Sequence, residues 1–382
     1  MVLIPSSVDL VGVSTHIYSL AKLLRDHGLL DSVVCPREGW LSQALKEEGI
    51  CYFIVGISFR PRRYISSNFS LFRFLASRRS ANVVHLHGRF PLFVSVTSLL
   101  ACRHLTFVAT VHQFASTGLE SRFDWKRSFE TLILRHMSRI CCVSEDLRNE
   151  VLARIGKRPS EVEVIPNWIE PLWAGSELGK SGFSEMRKSA GYTRICGIGR
   201  LSHEKGFDIL LKAIGLLDKV GYTVLCDIYG DGPEKESLGR LADELGIARN
   251  IRLNKPSSDV RRLLHDYYAL VIPSRSESFG IVALEAYDAS VPVIASDVAG
   301  LQSTVLNAKT GLLFEPGSPQ SLAAALRRLI DSQALANELA AKGREYLQGY
   351  LPSEGLNRKF VEFYAEAQLD HSRHLRDAAT VQ

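Results

Sequence analysis

A chain of 382 residues that is 46% hydrophobic and 23% charged is ordinary globular material, long enough for two domains with a full core each. Its net charge of +5 is lodged in the first half, where residues 1–175 carry 21 Lys+Arg against 15 Asp+Glu and the remainder carries 25 against 26. No run of ~18 apolar residues occurs, and Met1–Ser7 lacks the basic start and long apolar core of a secretory signal, so neither a spanning helix nor a leader is expected.

Strand and helix patterns alternate almost throughout, the mark of parallel sheets with crossover helices. A short apolar start at Val2 to Ile4, short enough to suggest a few residues missing before it, leads through a polar loop to Gly12 and a helix over about Ser14 to His27. Strand-like runs follow at Ser32 to Cys35, Cys51 to Val55, Asn82 to His87, Thr106 to Val111, Arg139 to Val143 and Val162 to Ile165. Helical stretches lie between them at Trp40 to Glu48, Phe69 to Arg79, Leu92 to Cys102 and Asp124 to His136. These make one doubly wound domain over residues 1–170. From Pro166 the periodicity breaks, and a run rich in Ser, Gly and Lys marks residues 171–190 as a linker.

A second alternating set fills residues 191–350. Its strands are expected at Arg194 to Gly199, Thr223 to Tyr229, Asn250 to Leu253, Tyr268 to Ile272, Pro292 to Ser296 and Gly311 to Phe314. Helices are expected at Gly206 to Asp218, Glu234 to Gly246 and Asp259 to His265. A helical stretch then occupies Pro319 to Asp370, with breaks near Gly343 and at Gly349 to Pro352, and residues 371–382 form a tail. The fold class is α/β, with ligands expected at the carboxyl ends of the parallel strands.

Seven cysteines, Cys35, Cys51, Cys102, Cys141, Cys142, Cys196 and Cys226, show no C-x-x-C spacing and sit mostly in apolar runs. They read as buried reduced thiols of a cytosolic protein rather than zinc ligands. The basic surplus gathers in Phe59-Arg60-Pro61-Arg62-Arg63-Tyr64, followed by Arg73, Arg78 and Arg79 among Phe69, Leu71, Phe72, Phe74 and Leu75. Such a mixture suits an anionic bilayer surface or a phosphate-bearing acceptor, and equally a solvated helix with a basic edge.

The chemistry concentrates in Pro273 to Pro292. A buried strand passes through a polar loop hinged at Gly280 into a helix from Ile281, and the free amides of such a start favour an anionic ligand. Glu285 has Ile281, Val282 and Ala289 as helix-face neighbours, so its carboxylate leaves the solvated stripe and needs donors such as ribose hydroxyls. In Gly199-Arg200-Leu201-Ser202-His203-Glu204-Lys205-Gly206, two cations five residues apart on a strand-to-helix loop can meet the two phosphates of one diphosphate. The overlapping Gly197-Ile198-Gly199-Arg200-Leu201-Ser202 imitates a dinucleotide fingerprint, but Ser202 stands where the third glycine belongs. In Tyr229-Gly230-Asp231-Gly232-Pro233, the glycines permit a tight turn and close approach of a base or phosphate.

The spacing Glu277 to Glu285 around Phe279-Gly280 resembles the E-x7-E element of family 4 of the retaining, nucleotide-sugar-dependent glycosyltransferases of GT-B fold. The likeness is closest over residues 194–316, through the G-R-L…K-G segment at Arg200 and Lys205 and the G-x-G-P turn at Gly230 and Gly232. It implies two Rossmann-like domains facing across a cleft, an acceptor-binding first domain, a donor-binding second domain and a last helix, within residues 351–370, that crosses back to the first domain.

The resemblance also assigns roles. Arg200 and Lys205 neutralise the leaving diphosphate, and Glu277 lies beside the sugar. Phe279, Gly280 and Ile281 present amides to the sugar and distal phosphate, and Asn254-Lys255-Pro256 lies near the base. Gly12 approaches the diphosphate, although Val11 stands where a second glycine is usual. His87 and His112 end strands, and His112 contacts the donor sugar near its O6. Ser144 reads first as a helix cap, and Asn167 as part of the turn into the hinge. Two segments depart from the family: Asp288-Ala289-Ser290-Val291-Pro292 replaces small-x-Gly, and Ala299 and Ser303 stand where Gly and Glu are common.

The resemblance thus implies a hexosyltransferase that retains anomeric configuration, with no cofactor beyond its donor and no metal; no Asp-x-Asp occurs. Implied partners are the nucleotide-sugar donor and a glycan or glycolipid acceptor of polysaccharide or lipopolysaccharide assembly, with no nucleic acid. The implied location is cytoplasmic, with a peripheral membrane contact through Arg60 to Arg79 as its extension. A nucleotide-sugar epimerase or phosphorylase of the same fold, and a non-catalytic nucleotide-binding module, remain the competing readings.

Overall fold

The structure, a computed structural model, describes residues 1–9, 12–57, 61–78, 80–113, 125–172, 188–189, 191–257 and 260–380. The chain divides into two compact units, Met1–Asn167 with Pro352–Gln382, and Trp168–Leu351.

The first unit holds β1 (Val2–Pro5), β2 (Ser32–Cys35), β3 (Tyr52–Ile54), β4 (Val83–His87), β5 (Thr106–Val111), β6 (Arg139–Cys142) and β7 (Val162–Val164). They form one parallel sheet in the order β3-β2-β1-β4-β5-β6-β7. Every residue of β1, β2, β4, β5 and β6 is buried, as expected of strands covered by helices on both faces. Strand order reverses between β1 and β4, and this switch point is where such sheets present their ligand crevice.

The second unit repeats the plan with β9 (Tyr192–Ile198), β10 (Val224–Tyr229), β11 (Ile251–Asn254), β12 (Ala269–Ile272), β13 (Val293–Ser296) and β14 (Gly311–Phe314), ordered β11-β10-β9-β12-β13-β14. Its core packs Phe207, Leu210, Ile214 and Leu217 from one helix with Ile195, Cys226, Ile228 and Val271 from the sheet and Leu322, Leu326 and Leu329 from another helix. Here the order reverses between β9 and β12.

Several expected boundaries move. A two-residue strand, β8 (Lys188–Ser189), pairs antiparallel with β9, so the expected linker is not wholly irregular; most of its other residues, 173–187 and 190, lie outside the described set. The helix expected from Phe69 already starts at Pro61, a residue suited to the first helical turn because it has no N–H to satisfy. The stretch Leu92 to Cys102 is two helices, Arg89–Val94 and Val96–Ala101, divided at Ser95, whose hydroxyl donates to the Leu92 carbonyl at 2.9 Å.

No break occurs at Gly343, which lies inside the helix Gln333–Leu347. A Cβ there would sit 2.4 Å from the Tyr287 ring, so this glycine serves helix packing. The break is at Ser332 instead, where the hydroxyl accepts from the Leu335 amide at 3.2 Å and caps the new helix. The last helix runs from Glu354 to Thr380, well past Asp370, so most of the expected tail is helical. Phe360, Phe363, Tyr364 and Ala367 bury one of its faces within the first unit. Arg139 of β6 anchors it through Asp370 at 2.9 Å and Glu366 at 2.5 Å.

Candidate active site

In the second unit the loops after β9 and β12, the two strands at the switch point, meet each other. The loop after β9 makes one tight turn over His203–Lys205 and enters the helix Phe207–Asp218 through Gly206, whose φ of 65° is left-handed. A side chain at Gly206 would strike the Pro273 carbonyl oxygen, with Cβ only 2.1 Å away, so glycine lets the two loops touch. The contact delivers Lys205: its Nζ donates to Oε2 of Glu277 at 2.5 Å, and Ser274 Oγ donates to the same oxygen at 3.3 Å. Arg275 locks the arrangement by gripping Asp208 with two bonds, at 2.7 and 2.9 Å, and by donating to the His203 carbonyl. Arg200, exposed on the same loop, makes no ion pair with the described residues.

Gly280 sits at φ 77° ahead of the helix Ile281–Asp288. The amides of Phe279, Gly280 and Ile281 donate to no described backbone carbonyl, leaving a cluster of donors at the helix start. Phe279 is itself buried, its ring edge-on to Tyr350 at 5.8 Å. One turn into the same helix, Glu285 is 9% exposed and burial pushes its carboxyl above the usual range, while Arg261 acts in the opposite direction and Asp288 adds to the rise. Arg261 Nε lies 3.6 Å from its Oε1, and the other end of the guanidinium reaches Asp288 at 3.4 Å and the Glu170 carbonyl at 2.8 Å. The Glu285 carboxylate thus already has a cation, supplied by a residue the sequence reading missed. Ser290, where the family has glycine, is held at φ 54°, with Arg344 donating to its hydroxyl at 3.0 Å.

Gly230 and Gly232 follow β10. A Cβ at Gly230 would lie 1.9 Å from the Gly199 carbonyl oxygen, and one at Gly232 2.3 Å from that of Leu201. The space these glycines clear is therefore filled by the loop that carries Arg200, which gives them a packing role the sequence reading did not foresee.

In the first unit, Gly12 is the exposed first residue of the helix Gly12–Asp26; Val11 before it lies outside the described residues. His87 closes β4 and His112 follows β5. Parallel pairing sets His87 against Thr110, and the 3.3 Å contact of His87 Nδ1 with His112 Nε2 follows from that register. His85, two residues back on the same face, bonds the Tyr364 hydroxyl at 2.8 Å and Thr110 Oγ1 at 2.7 Å. Burial lowers the whole group: His85 to about 3, His112 to about 4, and His16 and His87 well below the ordinary value, with neighbouring imidazoles adding to the effect for all but His112. All four rings are neutral near pH 7.

Elsewhere, Ser144 caps the helix Glu145–Ile155 by accepting from the Leu147 amide at 3.4 Å. All seven cysteines are free thiols, six of them buried and Cys51 exposed. In the basic stretch, Arg60, Arg79 and the side chains of Arg62 and Arg63 lie outside the described residues. Arg78 is stacked on Phe53 and Phe74, at 4.1 and 4.7 Å from the ring centres, and is no free surface cation.

Comparison with known proteins defines the class. Residues 11–171 match the family model for Glycosyltransferase Family 4, and residues 183–346 match that for Glycosyl transferases group 1. The two matches together take in most of the sequence, and the chain belongs to this glycosyltransferase family. It is 29% identical over 276 residues to glycogen synthase of Mycobacterium tuberculosis, a match covering 70% of this chain and 64% of that protein's length. It is also 29% identical over 296 residues to the lipopolysaccharide core biosynthesis glycosyltransferase LpsD of Rhizobium meliloti, covering 77% of this chain and 80% of that one. HepE of Anabaena, solved in complex with UDP and glucose, matches with a TM-score of 0.80 at 19% identity, over 95% of this chain and 98% of that chain. That likeness is one of fold, the α/β GT-B fold.

Proposed function

We propose that this chain is a retaining glycosyltransferase that moves a hexosyl group from a nucleoside-diphosphate sugar to an acceptor hydroxyl in polysaccharide, lipopolysaccharide or glycolipid assembly. The carrying observation is the Lys205–Glu277 pair at the carboxyl ends of β9 and β12, beside the open amides of Phe279, Gly280 and Ile281. A departing diphosphate gathers negative charge as the glycosidic bond breaks, and preorganised cations and amides lower that barrier most. Lys205 and Arg200 supply the cations and the Ile281–Asp288 helix supplies the amides, so the protein itself provides the charge this step needs.

Glu277 keeps Lys205 in place and borders the sugar, and Glu285 takes the ribose hydroxyls. Gly230 and Gly232 shape the nucleotide side. From the first unit, Gly12 approaches the diphosphate and His112, as a neutral imidazole, meets the sugar hydroxyls. The acceptor attacks the face from which the diphosphate leaves, and its proton passes to the departing phosphate oxygen. The kinship with LpsD supports a surface-glycan acceptor.

The test begins with a thermal-shift screen of UDP-, GDP- and ADP-sugars, followed by donor consumption with and without acceptor. Lys205→Ala and Glu285→Ala should each reduce turnover about 100-fold or more with circular dichroism unchanged. Wild-type turnover in either would remove that residue from the mechanism. Donor conversion that needs no acceptor would instead indicate an epimerase, and dependence on phosphate a phosphorylase.

The membrane reading rests on the helix Pro61–Ser77, where Ile65 is 81% and Phe69 54% exposed and Arg73 follows at the next four-residue step. Such a stripe suits an anionic bilayer. Sedimentation with anionic vesicles, lost in Phe69→Ser, would support the contact; equal sedimentation of both proteins would remove it.

A further inference from the structure

Three histidines far apart in sequence meet in the first unit. His16 comes from the helix after β1, His87 from the end of β4 and His112 from just past β5. Their ring centres form a nearly equilateral triangle, with His16–His87 at 5.5 Å, His16–His112 at 5.2 Å and His87–His112 at 5.6 Å. One ring nitrogen from each lies within 4.8 Å of the other two. A tetrahedral zinc ion with Zn–N bonds of about 2.0–2.1 Å holds its nitrogens roughly 3.3–3.4 Å apart, close to the 3.3 Å between His87 and His112.

The surroundings suit such a centre. His16 and His87 are buried, and His87 turns Nδ1, the nitrogen 3.3 Å from His112 Nε2, toward the other two rings. His85 lies against His87, its ring tilted by 37° with the centres 3.9 Å apart, but both its ring nitrogens are committed, to Tyr364 and to Thr110, so it backs the triad and does not join it. Tyr364 belongs to the last helix, which thereby supports one wall of the cluster. The three histidines lie in separate segments with no shared short spacing, so neither a paired-cysteine nor an Asp-x-Asp pattern marks them in the sequence.

We infer that His16, His87 and His112 form a binding site for a zinc-class divalent ion, with three imidazole ligands and a fourth position open. Three neutral nitrogen donors select zinc, cobalt or copper over magnesium, which demands oxygen ligands. Occupation would engage the same imidazole that the transfer proposal assigns to the donor sugar, so the ion is expected to inhibit transfer reversibly.

The full-length chain, stripped with chelator, would be titrated with Co²⁺ alone and read by its visible d–d absorption, which is independent of any transferase activity. One ion per chain is expected. His16→Gln and His87→Gln should each weaken binding at least 10-fold with native circular dichroism, and His136→Gln, exposed in the same unit, should not. Absence of the absorption in the wild type, or equal binding by both ligand variants, would overturn the site. Should the buried variants fail to fold, X-ray absorption on the zinc-loaded wild type answers the same question. Three imidazole scatterers support the assignment, and fewer refute it.

Discussion

Arg261 is one guanidinium shared by two buried carboxylates, Glu285 and Asp288, and removing it leaves both largely desolvated charges without their cation. Arg261→Met should therefore cost about 3 kcal/mol, measured as a shift in the urea midpoint. The pH dependence has a definite sign. Burial already raises the Glu285 carboxyl, and loss of Arg261 raises it further. An acid with a folded value above its unfolded one favours the fold when protonated, so the variant should regain stability as pH falls from neutral through that raised value. Glu285→Gln in the same chain should recover part of the loss at neutral pH; no recovery would mean the two side chains are not energetically coupled. A nearer surface case is Ala308, exposed at φ 56°, where Ala308→Gly should add roughly 0.5–1 kcal/mol by relieving left-handed strain.

Among the elements, the start of the helix Phe207–Asp218 and the loop after β12 act as one piece, joined by Asp208 and Arg275. Burial alone would raise the Asp208 carboxyl, but its bonds to Arg275 and Lys212, with their charges, bring it from 3.8 to about 2. A depressed carboxyl contributes stability that is full above its unfolded value and disappears as pH falls through the folded one. Asp208→Asn should thus cost about 1–2 kcal/mol at neutral pH, the Asp208 side chain being 21% exposed, and the difference from wild type should shrink between 3.8 and about 2. Denaturant midpoints across that window check it. Loosening this piece should also raise the donor KM, because Lys205 lies in the turn that it steadies.

For the whole molecule, the last helix belongs to the first unit although the second intervenes in sequence. Phe360 and Phe363 are fully buried there, and Phe360→Ala should cost about 3–5 kcal/mol. Because the second unit has its own core, faster hydrogen exchange should appear in β4, β5 and β6 and leave β9, β10 and β12 unchanged. Equal loss of protection in both sheets would show that the units do not unfold separately. Zinc-class ions, if they occupy the histidine triad, should protect the first group of strands only.

The strands and the loops that follow them were readable from the chain alone, because a parallel strand buried on both faces is an unbroken apolar run and its end is a polar, glycine-bearing loop. Arg200, Lys205, Glu277, Gly280 and Glu285, the residues proposed for the donor site, each lie in such a short segment, where the local pattern and the family resemblance could single them out. Partners brought from afar left no such trace. Arg261 reaches Glu285 from 24 residues upstream. Asp208 meets Arg275 across 67 residues, and Tyr364 meets His85 across 279. Gly343 looked like a break because glycine weakens isolated helices, yet its missing side chain makes room for Tyr287. Local order follows from neighbouring residues in the sequence, whereas burial, ion pairing and the meeting of three histidines depend on which chain segments the sheet sets side by side.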